Sequence, residues 1–251
     1  MVLRTAFLAV ALIVSGHLSA KVTEEETFSF TLNDGGRLSV ENVNGSITVT
    51  GGSGNSVEII AIKKADNQET LDGIKIEISH SPDYIEIETD LPETDHWFKR
   101  GNSGAQVTYK IIVPAGTNLE SVETVNGNVE ISGVSGDVHA ESVNGSLDCT
   151  DLASSASFST VNGSINASFV KLEGQQKVKA ETVNGRVTIR LPADADVNVS
   201  ADTLNGGING SDFGLKTDKG FIGSDLNGSI GNGSARLNID TVNGSIKLRS
   251  N

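Results

Sequence analysis

The chain has 251 residues, with 37% hydrophobic side chains, 28 glycines and only 4% aromatics, so a core must come from Val, Ile, Leu and Ala. Four prolines without a G-X-Y period exclude collagen, and the lone Cys149 excludes a disulfide framework or a cysteine-based zinc cluster. A net charge of −13 opposes binding to nucleic acid or anionic lipid and suits solubility, divalent cations or basic partners.

Residues 1–20 read as an export signal. Arg4 supplies the positive start, Thr5–Gly16 is apolar, and His17-Leu18-Ser19-Ala20 ends in a small residue suited to cleavage. The apolar run is shorter than the about 20 residues a membrane span requires. No cysteine follows the cleavage point, so a lipid anchor there is not indicated. Cleavage before Lys21 leaves 18 basic and 32 acidic side chains, and no later segment reaches transmembrane length.

Residues 21–251 read as one all-β domain. In 24–118 the alternation is less regular and predicts strands at Thr27–Leu32, Ser46–Thr50, Val57–Lys63, Ile74–Ser79, Tyr84–Thr89 and Gln106–Val113. These are expected to begin a solenoid and cover its open end. The longest polar break, Asp90–Gly104, mixes acids with His96, Trp97, Lys99 and Arg100. Those four form a candidate partner-binding loop, because Trp and Arg are common binding hot spots. The alternative is a loop that folds Trp97 over the cap.

In 119–251 a repeat dominates. Val/Leu-Asn-Gly occurs eight times in the chain, seven of them here, with turns at Asn44-Gly45, Asn126-Gly127, Asn144-Gly145, Asn162-Gly163, Asn184-Gly185, Asn205-Gly206, Asn227-Gly228 and Asn243-Gly244. Three places after each asparagine stands an aliphatic residue, and five places after it usually another, which is the period of a strand with one buried face. Asn-Gly tolerates positive φ and also suits hairpins, so a meander is the rival reading. The recurrence about every 18–22 residues favours a right-handed parallel β-helix, in which identical turns stack and asparagines form ladders. The Val or Leu before each asparagine is expected to be buried as well; in VKAETVNG, Val178, Ala180 and Val183 are expected to point inward, with Glu181-Thr182 making a corner. Small residues such as Ala140, Ala180 and Ala201 then fit a narrow interior.

The stretch VTYKIIVPAGTNLESVETVNGNVEISGVSGDVHAESVNGSL, Val107–Leu147, resembles a bacterial exported family with β-strand repeats. Its members are labelled candidate adhesins or domains of unknown function. The likeness rests on the Tyr109-to-Pro114 strand followed by stacked Val-Asn-Gly turns. It implies shape more than a binding activity, and it transfers no catalytic residue.

Among groups capable of chemistry, His80, His96 and His139 lack metal-ligand spacing in the sequence, and Cys149 falls on an inward position. Glu41, Glu123, Glu141, Glu181, Asp202 and Asp240 recur three places before the asparagine. Stacked, they form either a cation-binding edge or a solvated corner. Thr124, Thr160, Thr182, Thr203 and Thr241 recur two places before it, as β-propensity alone would favour. The expectation is a non-enzymatic, exported envelope or surface protein of the adhesin type, without cofactor or metal. It would present an acidic polar face to a protein or carbohydrate ligand, in the periplasm or at the cell surface. The alternatives are a periplasmic structural or stress-related component and a polysaccharide-active glycosidase or lyase.

Overall fold

The computed structural model describes residues 21–92, 104–220 and 223–251. The expected signal segment and the candidate loop His96, Trp97, Lys99 and Arg100 lie outside the described residues. Among those described, no helix is long and apolar enough to cross a membrane.

The first part contains β1 (Val22–Thr31), β2 (Arg37–Asn44), β3 (Ile47–Gly52), β4 (Ser56–Ala65), a short helix α1 (Gln68–Asp72), β5 (Lys75–Ser81), β6 (Tyr84–Asp90) and β7 (Gln106–Pro114). Next come four paired levels: β8 (Asn118–Asn126) with β9 (Val129–Ser132), β10 (Val138–Ser142) with β11 (Leu147–Leu152), β12 (Ala156–Asn162) with β13 (Ile165–Phe169), and β14 (Lys177–Asn184) with β15 (Val187–Leu191). The last part has β16 (Val197–Asn205), β17 (Ile208–Asn209), β18 (Asp218–Lys219), β19 (Ser224–Ile230), β20 (Ala235–Asn243) and β21 (Ile246–Ser250).

These strands form two sheets. One has the order β1-β4-β7-β3-β9-β11-β13-β15-β21-β17, and the other β18-β19-β16-β20-β14-β12-β10-β8-β2-β6-β5. The repeat levels pair in parallel, in register from one coil to the next. Antiparallel strands close both ends: β1, β4 and β7 on one sheet, β5 on β6 and β19 on β16 on the other. Eleven strands about 4.8 Å apart give a sheet near 50 Å across.

Two features depart from a solenoid wound in sequence order. The coil β20–β21 sits between β14–β15 and β16–β17, so the chain passes over one level and returns to fill it. Asn227-Gly228, expected as a turn, lies inside β19, which runs antiparallel to β16. Its neighbour Leu226 is buried because it pairs with Ala201 in the core.

The other seven Asn-Gly steps turn the chain from one sheet to the other, and only Gly45 among their glycines has positive φ. Close approach explains the remaining glycines. A Cβ on Gly163 would lie 1.9 Å from the Gly145 carbonyl oxygen, and one on Gly185 would lie 1.8 Å from that of Gly163.

The direction of the residue before each asparagine is a correction. Val43, Val125, Val143, Val161, Val183, Leu204 and Val242 are 39–50% exposed. The residue one place earlier is the buried one: Asn42, Thr124, Ser142, Thr160, Thr182, Thr203 and Thr241. There is no corner at Glu181-Thr182; β14 alternates without interruption, with Val178, Ala180 and Thr182 inside. The physical reason is a hydrogen bond. Each inward hydroxyl donates to the glycine carbonyl of an adjacent coil: Thr124 to Gly45 at 3.1 Å, Thr160 to Gly145 at 2.9 Å, Thr182 to Gly163 at 3.0 Å and Thr203 to Gly244 at 2.9 Å. Valine there would leave those carbonyls without this partner.

Candidate functional site

The outer face of the eleven-stranded sheet is ordered by this alternation. The inward Thr rank places the residue before it outward in every coil. Strand pairing then sets Glu41 beside Glu123, Glu123 beside Glu141, Glu181 beside Asp240, and Asp240 beside Asp202. Ser159 interrupts the rank between Glu141 and Glu181. The antiparallel ends extend it beyond the repeat: Glu41 neighbours Glu88 and then Glu77, while Asp202 neighbours Asp225 and then Asp218. Ten carboxylates thus occupy the eleven strands of one row. Glu77, Glu88 and Asp218 carry no repeat signature in the sequence, and Asp225 stands two rather than three places before its asparagine; only the strand pairing brings these four into the row.

Like charges at this spacing work against one another. Glu41 holds its proton above the ordinary glutamate range, because of partial burial and then the charges of Glu123, Glu88 and Glu86. Asp240 is likewise raised, by burial and then by Asp202 and Glu181. Both groups bind protons more tightly folded than unfolded, so they weaken the fold at neutral pH. That loss is relieved as pH falls through their raised values. Local compensation exists at Glu181, where Lys179 approaches to 2.8 Å.

Two places after the acids along each strand run the exposed aliphatics, in register as Val43, Val125, Val143, Val161, Val183, Val242 and Leu204. Beyond them the asparagine amides bond across the stack. Nδ2 of Asn126, Asn144, Asn162, Asn184, Asn243 and Asn205 each donates to the Oδ1 of the next asparagine at 2.8–3.0 Å. One face therefore carries three parallel rows: carboxylate, aliphatic and amide. Toward its β16 end the carboxylate and aliphatic rows line an open groove of about 630 Å³, containing Glu181, Asp240, Asp202 and Asp225 beside Val161, Val183, Val242 and Leu204. Among the described residues no Lys or Arg lines it. A second groove, of about 660 Å³, lies at the other end of the same strands and includes Arg37, Lys177, Lys179 and Arg236.

One trio of metal-ligating side chains gathers among the described residues: Glu123, His139 and Glu141, whose ligand atoms lie within 4.8 Å of one another. His139 Nε2 is 3.0 Å from a Glu141 oxygen, and the Ser121 hydroxyl donates to Glu123. Imidazole with two carboxylates suits a borderline ion such as zinc. All three are partly open to water. Cys149 is buried and its thiol is pushed well above the usual thiol range by burial and then by Asp148. It packs as a small apolar side chain.

The Toastrack DUF4097 family model matches residues 14–249. No curated protein matches the sequence. Among solved structures, a candidate cell adhesion protein of Clostridium sporogenes is similar over 91% of this chain and 100% of its own, at 14% identity and a TM-score of 0.48. A candidate adhesin of Bacteroides fragilis covers 90% of this chain and 97% of its own, at 10% identity and a TM-score of 0.43. A candidate lipid binding protein of Parabacteroides distasonis covers 89% and 96%, at 15% identity and a TM-score of 0.28. Likeness at these scores carries no functional inference.

Proposed function

The chain belongs to the Toastrack DUF4097 family, and from that premise we propose that it is an exported, non-enzymatic protein of the cell envelope or surface. It presents its acidic face to a partner carrying basic groups. The observation that carries this reading is the row of carboxylates across the whole outer face of one sheet. The acids stand in an open line rather than as a pair facing across a cleft, which favours presentation over glycoside hydrolysis. The coils wind right-handed in this reading, the hand that parallel strand crossovers adopt.

Fractionation of native cells with mass spectrometry of the mature N-terminus tests export. The expected chain starts at Lys21 and leaves the cytosol. A cytosolic chain that retains residues 1–20 overturns the reading. Protease treatment of intact and permeabilised cells then separates its two forms. Cleavage on intact cells places the face outside and supports an adhesive role. Protection until permeabilisation places it in the periplasm, as an envelope component.

A further inference from the structure

The exposed aliphatic row calls for a partner more specific than a cation. We infer that the groove beside Val161, Val183, Val242 and Leu204 docks a cationic amphipathic α-helix lying along the stack, across the strands. This deepens the proposed presentation of an acidic face and rests on it.

Three observations argue for this occupant. The first is charge. Glu181, Asp240, Asp202 and Asp225 line the groove on one side; Lys179 pairs with Glu181 from outside it, which leaves Asp240, Asp202 and Asp225 in excess, and no Lys or Arg lines the groove itself among the described residues. The second is the neighbouring apolar row, which alternation of the strands puts outward in register, with Leu204 50% exposed. A polycation alone has no use for it. A segment with one basic and one apolar flank covers both rows, which lie two residues apart along each strand, about 7 Å. That offset fits within a helix about 10–12 Å in diameter.

The third is spacing. Coils repeat about every 4.8 Å along the stack. An extended strand laid along that axis puts same-face residues about 6.7 Å apart and falls out of step within two coils. A helix brings its apolar face round every turn, about 5.4 Å, and drifts only about 0.6 Å per coil. Across the four strands β12, β14, β20 and β16, some 14 Å, about three helical turns stay matched, in the manner of a helix seated in a groove. A second copy of this chain is a poor occupant, since it would bring its own carboxylates against these.

The test titrates the full mature chain with a Leu/Lys peptide of about eighteen residues patterned as an amphipathic helix, against a scrambled peptide of identical composition, at near-physiological salt. The patterned peptide is expected to bind at least about ten-fold more tightly than the scrambled one. Leu204→Asn and Asp240→Asn are each expected to weaken it about five-fold or more. Both side chains face outward, and a melting curve verifies each fold. If Leu204→Asn melts early, Asp240→Asn and Val183→Ser keep the test. Equal binding of the two peptides overturns helix docking while leaving the acidic face as a general cation binder. Failure of both to bind, or variants that bind like the native chain, also overturns it. So does a native dimer that dissociates on Leu204→Asn, which would put a second copy in the groove.

Discussion

Gly163→Ala is expected to lower stability by about 2–4 kcal/mol, a large loss for an exposed turn. The added methyl would lie 1.9 Å from the carbonyl oxygen of Gly145, a backbone atom held on both sides. Thr160 donates to that same carbonyl at 2.9 Å, and Asn162 bonds to Asn144 across the same step. Relief of the clash would therefore pry apart two coils and break both contacts. Gly207→Ala is the control. It adjoins the same kind of turn, has no positive φ, and would place its methyl with nothing within 4 Å. It is expected to change stability by less than about 0.5 kcal/mol. Urea denaturation of the two variants measures the difference. Equal effects would show that the turns are not stacked at the spacing described.

Phe158→Ala is expected to cost about 3–5 kcal/mol, the range for deleting a buried aromatic ring. Phe158 is fully enclosed, and its neighbours in the ladder are Ala140 on one side and Ala180 on the other. Further along the row come Ile239 and Ala201. The alanines are thus small because a ring sits between two of them, rather than because the coil is uniformly narrow. Removing the ring leaves three alanines in succession and a cavity the stacked strands cannot close. Ala180→Leu alone should overpack and cost about 1–3 kcal/mol. Combined with Phe158→Ala it should restore part of the loss, a coupling read directly from a double-mutant cycle. Strict additivity of the two substitutions would contradict this packing.

Much of the fold was legible because strand periodicity is local. At the seven stacked turns the positions three and five places after the asparagine, such as Ile165 and Ala167, follow from alternation and are buried. The six predicted strands of the N-terminal part all overlap observed ones. The side of the Thr-Val pair was not legible. Threonine and valine are nearly the same size and share β-propensity. The choice turns on a carbonyl in another coil, which no local pattern displays. Coil order was hidden for a similar reason: residues 197–209 and 235–250 carry the same repeat, and either could stack on β14–β15. Asn227-Gly228 copied the motif without the stacking partner that makes it a turn.

The acidic row was half visible. Its repeat members, Glu41 to Asp240, recur in the sequence, but Glu77, Glu88, Asp218 and Asp225 join it only through antiparallel pairing at the two ends. The aliphatic row is plain in the sequence, but the pattern there points it inward, so the groove it forms with the acids is not legible without the strand pairing.

The central claim is the orientation of the repeat, Thr inward and Val outward, since it creates the face on which the functional reading depends. Thiol labelling tests it most directly, because the one native thiol, Cys149, is buried. In a Cys149→Ala background, Val183→Cys should react with a maleimide in the native state, far faster than Thr182→Cys. Thr182→Cys should stay protected until denaturant unfolds the chain. The reverse pattern, with Thr182→Cys open and Val183→Cys protected, would contradict the account and remove the acidic and aliphatic face with it.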